Sequence, residues 1–138
     1  MLIRIVVVVV VFAALAGLGW WLERRRRADA PTQPGSDAPA QLDRADFPRP
    51  DAPWLVVLFT SRACDSCAGL YDKARPLESP EVAVVEVEYP GAKALHERYQ
   101  IEAAPTTVIA DAQGVVRAEI VGAFDATELW NTVAEVRR

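Results

Sequence analysis

Residues 54–67, WLVVLFTSRACDSC, carry the strongest local signals of the fold. Trp54 to Thr60 forms a short, almost continuous apolar run rich in branched and aromatic side chains, which predicts a strand buried on both faces. Cys64 opens a segment whose apolar residues recur at helical spacing until Pro76 ends or bends the predicted helix. These apolar positions are Cys67, Leu70, Tyr71, Ala74 and Leu77. The predicted order is strand, turn and helix, with two cysteines at the turn.

The residues that follow predict a second βα unit and a hairpin. Val82–Glu88 is β-branched and predicts a strand, and Ala92–Tyr99 predicts a short helix. Thr106–Ala110 and Val115–Val121 flank the turn residues 111–114, which end in glycine and favour a tight antiparallel hairpin.

The last segment predicts an amphipathic helix with its own start signal. Asp125 can cap the helix, and Glu128 stands three residues later, as in a capping box. Leu129, Val133 and Val136 form its apolar stripe. The complete order of elements is βαβαββα, which predicts an α/β fold.

Cys64 and Cys67, at C-x-x-C spacing after a strand, predict a redox pair. Cys64 at a helix N-terminus would face unpaired N–H groups and the positive end of the helix dipole, which stabilise the nucleophilic thiolate. Cys67, one turn later, could resolve a mixed disulfide. The alternatives are two inert buried thiols or a zinc site, but the only other strong zinc ligand, His96, is expected to be a solvated helix residue.

Residues 54–138 resemble thioredoxin in three motifs: Cys64-Asp65-Ser66-Cys67, Ala104-Pro105-Thr106 and Val121-Gly122-Ala123. The resemblance implies a three-layer αβα sandwich around a central mixed sheet, with the family's first strand and helix missing or reduced to residues 42–47. It also implies that Pro105 is cis, faces the cysteines and, with Ala104, binds substrate along the backbone.

Four positions depart from the family pattern. Ala63 replaces the usual tryptophan, Asp65-Ser66 replaces Gly-Pro, and Leu58 stands where the family keeps a buried acid. Glu86 aligns roughly with the family's buried lysine and is a candidate proton acceptor for Cys67. The alternative is that Glu86 is an ordinary carboxylate near the end of a strand, because burying an unpaired glutamate is costly.

The N-terminus predicts a membrane anchor. Ile5–Leu22 carries no charge and would span roughly 27 Å as a helix, close to the ~30 Å core of a bilayer. Trp20 and Trp21 suit the interface, and the arginine block 24–27 marks the exit, so membrane contact is expected through residues 2–22. Since Arg4 alone precedes the span, the positive-inside rule predicts a cytoplasmic C-terminal domain.

An alternative for the N-terminus is a cleaved secretory signal with an A-x-A site at residues 14–16, which would export the domain. Residues 28–41 are small and polar and predict a flexible tether. The expected organisation is an anchor at 1–22, a basic exit and linker at 23–52 and a thioredoxin-like domain at 53–138.

Charge and motifs narrow the function. Residues 43–138 carry ten basic and sixteen acidic side chains, which argues against nucleic-acid binding. No metal, nucleotide or flavin motif is visible in the sequence, so no cofactor is expected. The domain is also expected to be a monomer. The favoured function is a membrane-tethered thiol–disulfide oxidoreductase that acts on protein disulfides or thiols and is reset by an unidentified electron donor or acceptor. The alternatives are a thioredoxin-like binding or scaffold module with little redox activity, and an exported oxidase or cytochrome-maturation reductase.

Overall fold

A computed structural model describes residues 1–29 and 38–138, with side chains for residues 1–19 and 38–138. The chain divides into two units: the first holds helix α1 (Leu2–Asp29), and the second is compact and includes everything from residue 38 onward. The predicted tether falls largely on residues 30–37, which lie outside the described residues.

Helix α1 contains an 18-residue window, Leu2–Gly19, with a mean hydropathy of 2.7 and no part buried inside the structure. By length and composition this window could cross a membrane, and a signal sequence near an N-terminus meets the same criteria. The helix does not end at Leu22 but continues through the arginine block to Asp29.

The compact unit follows the predicted order of elements. They are β1 (Trp54–Ser61), α2 (Leu70–Ala74), β2 (Val82–Tyr89), α3 (Lys93–Arg98), β3 (Thr106–Ala110), β4 (Val116–Val121) and α4 (Ala126–Val136). The side chain of Asp125 accepts a hydrogen bond from the Glu128 N–H, at 2.8 Å, so the predicted cap of the last helix is confirmed.

The four strands form one mixed sheet in the order β2-β1-β3-β4. β1 pairs with β2 in parallel, while the β1–β3 and β3–β4 pairs are antiparallel. β1 is central, and residues 55–60 are buried, as its apolar run predicts. Leu58 lies in register between Glu86 of β2 and Thr107 of β3, so these three residues share one face of the sheet.

Two layers of side chains cover the sheet. Alternate residues of β1 pack on opposite faces, because successive strand side chains point to opposite sides. One face joins Leu55, Val57 and Phe59 to Tyr99 and to residues N-terminal of β1. The other face joins Val56 and Leu58 to α2 and α4, through Leu70, Ala74, Leu129 and Val133. The predicted αβα sandwich is confirmed.

Residues 38–52, here called the N-terminal strap, pack into the first of these layers. Leu42 and Phe47 are buried, with 1% and 4% of their surface exposed. The Leu42 N–H donates to the Gly114 carbonyl at 2.8 Å, and the Val116 N–H donates to the Ala40 carbonyl at 3.0 Å. The prediction of a tether is therefore wrong for residues 38–41, and the folded unit begins before residue 53.

The physical reason is that Leu42 and Phe47 of the N-terminal strap supply apolar cover for the sheet face that carries Leu55, Val57 and Phe59. A single 3₁₀ turn, Arg44–Asp46, lies in this segment, in agreement with the reduced element expected at residues 42–47. The two large apolar residues of the N-terminal strap, Leu42 and Phe47, stand singly among small and polar residues. Neither a helical nor a strand periodicity therefore predicts their burial.

A buried arginine joins the N-terminal strap to the β3–β4 turn. Arg44 is 7% exposed and donates to the Asp111 carbonyl at 3.0 Å and the Arg49 carbonyl at 3.2 Å. Burial lowers the pKa of Arg44, while nearby Asp111 and Asp51 act in the opposite direction. The guanidinium thus ties two backbone segments together.

The side chain of Asp111 organises the turn itself. It accepts hydrogen bonds from the N–H groups of Gln113 and Val115 at 2.9 and 3.0 Å, and pairs with Arg117. Burial raises the pKa of the Asp111 carboxyl, but these hydrogen bonds and the positive charge of Arg117 lower it more, so the net pKa lies below its ordinary value.

His96 is buried, so the expectation of a solvated residue is wrong. Its side chain is 6% exposed, and Nε2 lies 2.8 Å from the Val87 carbonyl oxygen. Its ring packs edge-on against Phe59 and Tyr89. The spacing of Ala92, Leu95, His96 and Tyr99 places His96 on the face of α3 that covers the sheet.

Candidate active site

Cys64 and Cys67 lie in the redox turn, defined here as residues 62–69, which connects β1 to α2. They form a disulfide, and their Cα atoms are 5.4 Å apart. Cys67 is 7% exposed, whereas Cys64 is half-buried. Cys64 is therefore the more exposed residue of the pair.

The backbone of the redox turn differs from the predicted continuous helix. Asp65–Cys67 forms a three-residue 3₁₀ turn, and α2 starts only at Leu70. Gly69, between them, adopts φ 75°, a left-handed conformation that glycine enters at little cost and that interrupts the helical path. The apolar stripe survives the break, since Cys67, Leu70 and Ala74 are all buried.

Two oxygen atoms lie near the Cys64 sulfur. The Ser66 hydroxyl oxygen is 3.3 Å from Sγ, and the Ala104 carbonyl oxygen is 3.6 Å from it. Ala104 is 40 residues further along the chain, so the fold itself brings the Ala104–Pro105 loop to the redox pair.

The Ala104–Pro105 peptide bond is cis, which confirms the expectation drawn from the resemblance. Two hydrogen bonds hold the loop around it: the Gly122 N–H donates to the Pro105 carbonyl at 2.8 Å, and the Thr106 hydroxyl donates to the Ala103 carbonyl at 2.9 Å. Gly122 belongs to the third motif identified in the sequence. The motifs around Cys64, Pro105 and Gly122 therefore converge at one end of the sheet.

A cleft of about 360 Å³ opens beside the disulfide. Its lining includes Thr60, Cys64, Cys67, Tyr71, Asp72 and Glu86. The structure thus brings the candidate proton acceptor Glu86 to the same cleft as the cysteines. Leu58, where the family keeps an acid, is only 1% exposed and contributes no carboxylate.

Glu86 is exposed, which removes the desolvation cost considered for a buried carboxylate. Its Oε1 accepts a hydrogen bond of 2.9 Å from the Thr60 hydroxyl. Thr60 is itself 1% exposed and lies at the end of β1. In the same region the Thr107 hydroxyl is buried without a hydrogen-bond partner.

Sequence reasoning missed two contacts at this site. The sequence predicts Thr60 only as part of a strand, and Ser66 only as a departure from Gly-Pro. The Thr60–Glu86 contact joins neighbouring strands and depends on their register, so local sequence alone carries no signal for it. The Ser66–Cys64 contact could have been predicted from the sequence, because a hydroxyl two residues after a cysteine in a turn can reach the cysteine sulfur.

Within residues 1–29 and 38–138, no group of three or more His, Cys, Asp or Glu side chains is arranged to hold a metal ion.

Residues 41–137 match the family model of the thioredoxin-like domain. The chain belongs to the thioredoxin-like family. The matched region includes Leu42 and Phe47 of the N-terminal strap, both of which lie in the core.

Solved thioredoxins resemble this family member over most of their own length. The germline-specific thioredoxin Deadhead from Drosophila melanogaster is 26% identical, with a TM-score of 0.54 over 62% of this chain and 83% of that chain. Fasciola hepatica thioredoxin has the same identity, TM-score and coverage. Oxidised thioredoxin O2 from Arabidopsis thaliana is 23% identical, with a TM-score of 0.55 over 70% of this chain and 90% of that chain.

No curated protein sequence matches the chain significantly. The family, the fold and the bonded Cys64–Cys67 pair support thiol–disulfide oxidoreductase chemistry in general.

Proposed function

We propose that the chain is a membrane-tethered thiol–disulfide oxidoreductase in which Cys64 attacks protein disulfides and Cys67 resolves the product. The observation that carries the proposal is the unequal burial of the two bonded cysteines. Cys67 is 7% exposed, whereas Cys64 is half-buried and contacts the Ala104 carbonyl.

In the reducing direction, the Cys64 thiolate attacks one sulfur of a substrate disulfide. A bond forms between Cys64 and that sulfur, the substrate S–S bond breaks, and the other substrate sulfur leaves as a thiolate that takes a proton from water. The Cys67 thiolate then attacks Cys64 Sγ, forms the Cys64–Cys67 disulfide and releases the second substrate thiolate. Two electrons pass to the substrate, so a dithiol donor must reduce the pair before the next cycle.

Ala104 and Pro105 are proposed to bind the substrate backbone next to Cys64. The loop is held by the Gly122–Pro105 and Thr106–Ala103 hydrogen bonds, so the exposed Ala104 is preorganised next to the buried Pro105. An extended substrate segment could pair with the backbone at Ala104 as an added strand, while its cysteine lies over Cys64.

Glu86 is proposed to accept the proton that Cys67 loses before it attacks. Both residues line the same cleft, and the Thr60 hydroxyl holds one carboxylate oxygen of Glu86. The role would pass from the family's acid position, here Leu58, to the neighbouring strand, where Glu86 is in register with Leu58.

α1 supports the tether, because Leu2–Gly19 is long and apolar enough to cross a bilayer. We propose a single-pass membrane protein with a cytoplasmic domain, from the arginine block that follows the span. A reducing cytoplasm favours the reduction of client disulfides. Alkaline phosphatase fused after Arg138 should be inactive and a cytoplasm-only fluorophore bright; the opposite pattern would support the exported alternative.

The central experiment is covalent trapping in cells. The full chain carrying Cys67→Ser lacks the resolving thiol, so a mixed disulfide between Cys64 and a client should accumulate and disappear on reduction. The matched control, Cys64→Ser, should trap far less, because its remaining sulfur is buried. Non-reducing electrophoresis after rapid acid quenching measures both.

Equal trapping by the two variants would contradict the assigned roles. No adduct with either variant would favour the alternative of a binding module with little redox activity.

The role of Glu86 can be measured without a client. When the reduced chain reacts with an aromatic disulfide reagent, release of the first thiolate reports attack by Cys64, and release of the second reports attack by Cys67. Glu86→Gln should slow the second release by about a hundredfold, the lower end of what a general base contributes, and leave the first unchanged. Glu88→Gln makes the same charge change two residues along β2, at a carboxylate paired with Arg62. Equal effects of the two variants would exclude a specific role for Glu86.

A further inference from the structure

The groups around Cys64 differ from those that a long helix would supply. The turn that follows Cys64 contains three helical residues, Asp65–Cys67, and Gly69 separates it from α2. A helix dipole arises from many aligned peptide units. A three-residue turn has only a small dipole, so groups in direct contact with the Cys64 sulfur have a larger share in determining how readily Cys64 ionises.

The two oxygens near Cys64 Sγ have opposite effects on its ionisation. The Ser66 hydroxyl, at 3.3 Å, can donate a hydrogen bond to a thiolate. The Ala104 carbonyl, at 3.6 Å, can only accept one from a protonated thiol. The hydroxyl thus favours the charged form of Cys64, and the carbonyl favours the neutral form.

Within residues 62–69 of the redox turn, no side chain supplies a free positive charge. Asp65 directly follows Cys64, is exposed and opposes a second negative charge beside it. Arg62 is the basic residue of the redox turn, and its guanidinium pairs with Glu88 at 3.3 Å. Both charges are solvent-exposed, so water and salt weaken their effect on the sulfur.

We propose that the Ser66 hydroxyl donates a hydrogen bond to the Cys64 sulfur in the reduced protein and thereby increases the fraction of Cys64 present as nucleophilic thiolate. The inference rests on the proposed function for the role of Cys64 as the attacking thiol. Ser66 is a catalytic residue in this scheme, because its hydroxyl touches the reacting sulfur. It compensates for the broken helix and for the negative charge of Asp65.

The hydrogen bond has two consequences. A larger thiolate fraction at neutral pH speeds the attack on a disulfide. Stabilising the thiolate also lowers the free energy of the reduced protein, so the Cys64–Cys67 disulfide becomes easier to reduce at pH values where Cys64 is ionised.

The test uses the full chain in the Cys67→Ala background, where Cys64 is the only thiol. The rate of alkylation by iodoacetamide is measured against pH, and its midpoint reports ionisation of Cys64. Ser66→Ala should move the midpoint upward by about 0.5–1 pH unit, a three- to tenfold loss of thiolate below the midpoint. Ser66→Thr keeps the hydroxyl and should restore the parent midpoint. Thr132→Ala, which removes a hydroxyl bonded within α4, should leave it unchanged.

A Ser66→Ala midpoint within about 0.2 units of the parent would overturn the proposal. So would an equal shift in Ser66→Thr, since packing and not the hydroxyl would then be responsible. With Cys67 intact, the equilibrium constant for reduction by dithiothreitol above the midpoint should fall by the same factor in Ser66→Ala, and an unchanged constant would also contradict the proposal.

This readout needs no client protein. If Ser66→Ala shifts the alkylation midpoint but the chain traps no client, the hydrogen bond is supported and the proposed function is contradicted. If clients are trapped through Cys64 but the midpoint does not shift, the proposed function is supported and the role of Ser66 is contradicted.

Discussion

The N-terminal strap and the redox turn lie on either side of β1 in the sequence and are built in opposite ways. The N-terminal strap has little regular structure, yet Leu42, Phe47 and the guanidinium of Arg44 are buried in it. The redox turn carries the motif that dominates the sequence, yet Arg62, Asp65 and Ser66 are exposed. The comparison teaches that the conspicuous motif carries the chemistry, while an inconspicuous segment completes the core that supports it.

The first prediction tests the N-terminal strap at its most buried side chain. Leu42 is 1% exposed, so Leu42→Ala removes buried methyl groups and leaves a cavity. We expect a loss of about 2–5 kcal/mol in the free energy of unfolding. Denaturant unfolding of the full chain in detergent, followed by tryptophan fluorescence, measures the loss.

The matched variant in the redox turn is Arg62→Ala. The Arg62 side chain is 73% exposed and makes a surface ion pair of 3.3 Å, so a loss below about 1 kcal/mol is expected. Similar losses of unfolding free energy in Leu42→Ala and Arg62→Ala would contradict the view that the N-terminal strap stabilises the core and the surface of the redox turn does not. The Cys64 alkylation midpoint of folded Leu42→Ala should equal that of the parent.

The second prediction compares two glycines with similar backbone angles. Gly114 has φ 80°, and a Cβ there would overlap the Leu42 carbonyl, whereas a Cβ at Gly69, with φ 75°, would meet nothing within 4 Å. Gly114→Ala should therefore cost about 3 kcal/mol, from backbone strain and displacement of the N-terminal strap. Gly69→Ala should cost about 1–2 kcal/mol, from the left-handed conformation alone. Equal losses of unfolding free energy in the two variants would show that Gly114 does not approach the Leu42 carbonyl closely in solution.

The third prediction concerns the pH dependence of the turn that holds the N-terminal strap. Because the pKa of Asp111 is lowered in the folded chain, its carboxylate stabilises the fold above the ordinary Asp value of about 3.9. This contribution is lost as the pH falls through the lower folded value. Asp111→Asn should cost about 1–3 kcal/mol at pH 7, and the difference from the parent should shrink in acid.

Unfolding free energies measured from pH 7 to pH 2.5 test this prediction. Thr132→Ala removes a hydroxyl bonded within α4 and changes no charge, so its curve should run parallel to that of the parent. A constant difference between the parent and Asp111→Asn across the range would show that the carboxylate charge does not matter.

The fold followed from local patterns to a large extent. The apolar run of β1, the β-branched run of β2 and the Asp125 cap each lie in one continuous segment, and each element formed where its pattern predicted. The predicted helix after Cys64 was wrong in its continuity, because glycine is compatible with both a helix and the left-handed conformation that Gly69 adopts. The prediction for His96 was wrong because its polar side chain suggests exposure, whereas its position next to Leu95 and one turn after Ala92 puts it on the buried face of α3.

The thioredoxin-like family, the redox pair and the order of elements could be predicted from the sequence, because they depend on residue types at short spacings. Contacts between distant residues could not. The Arg44–Asp111 contact spans 67 positions, the Cys64–Ala104 contact 40 and the Thr60–Glu86 contact 26. Such contacts are set by the register of the strands and by which buried groups still need a hydrogen-bond partner or apolar cover. Those are properties of the assembled core, and no single segment of the chain contains them.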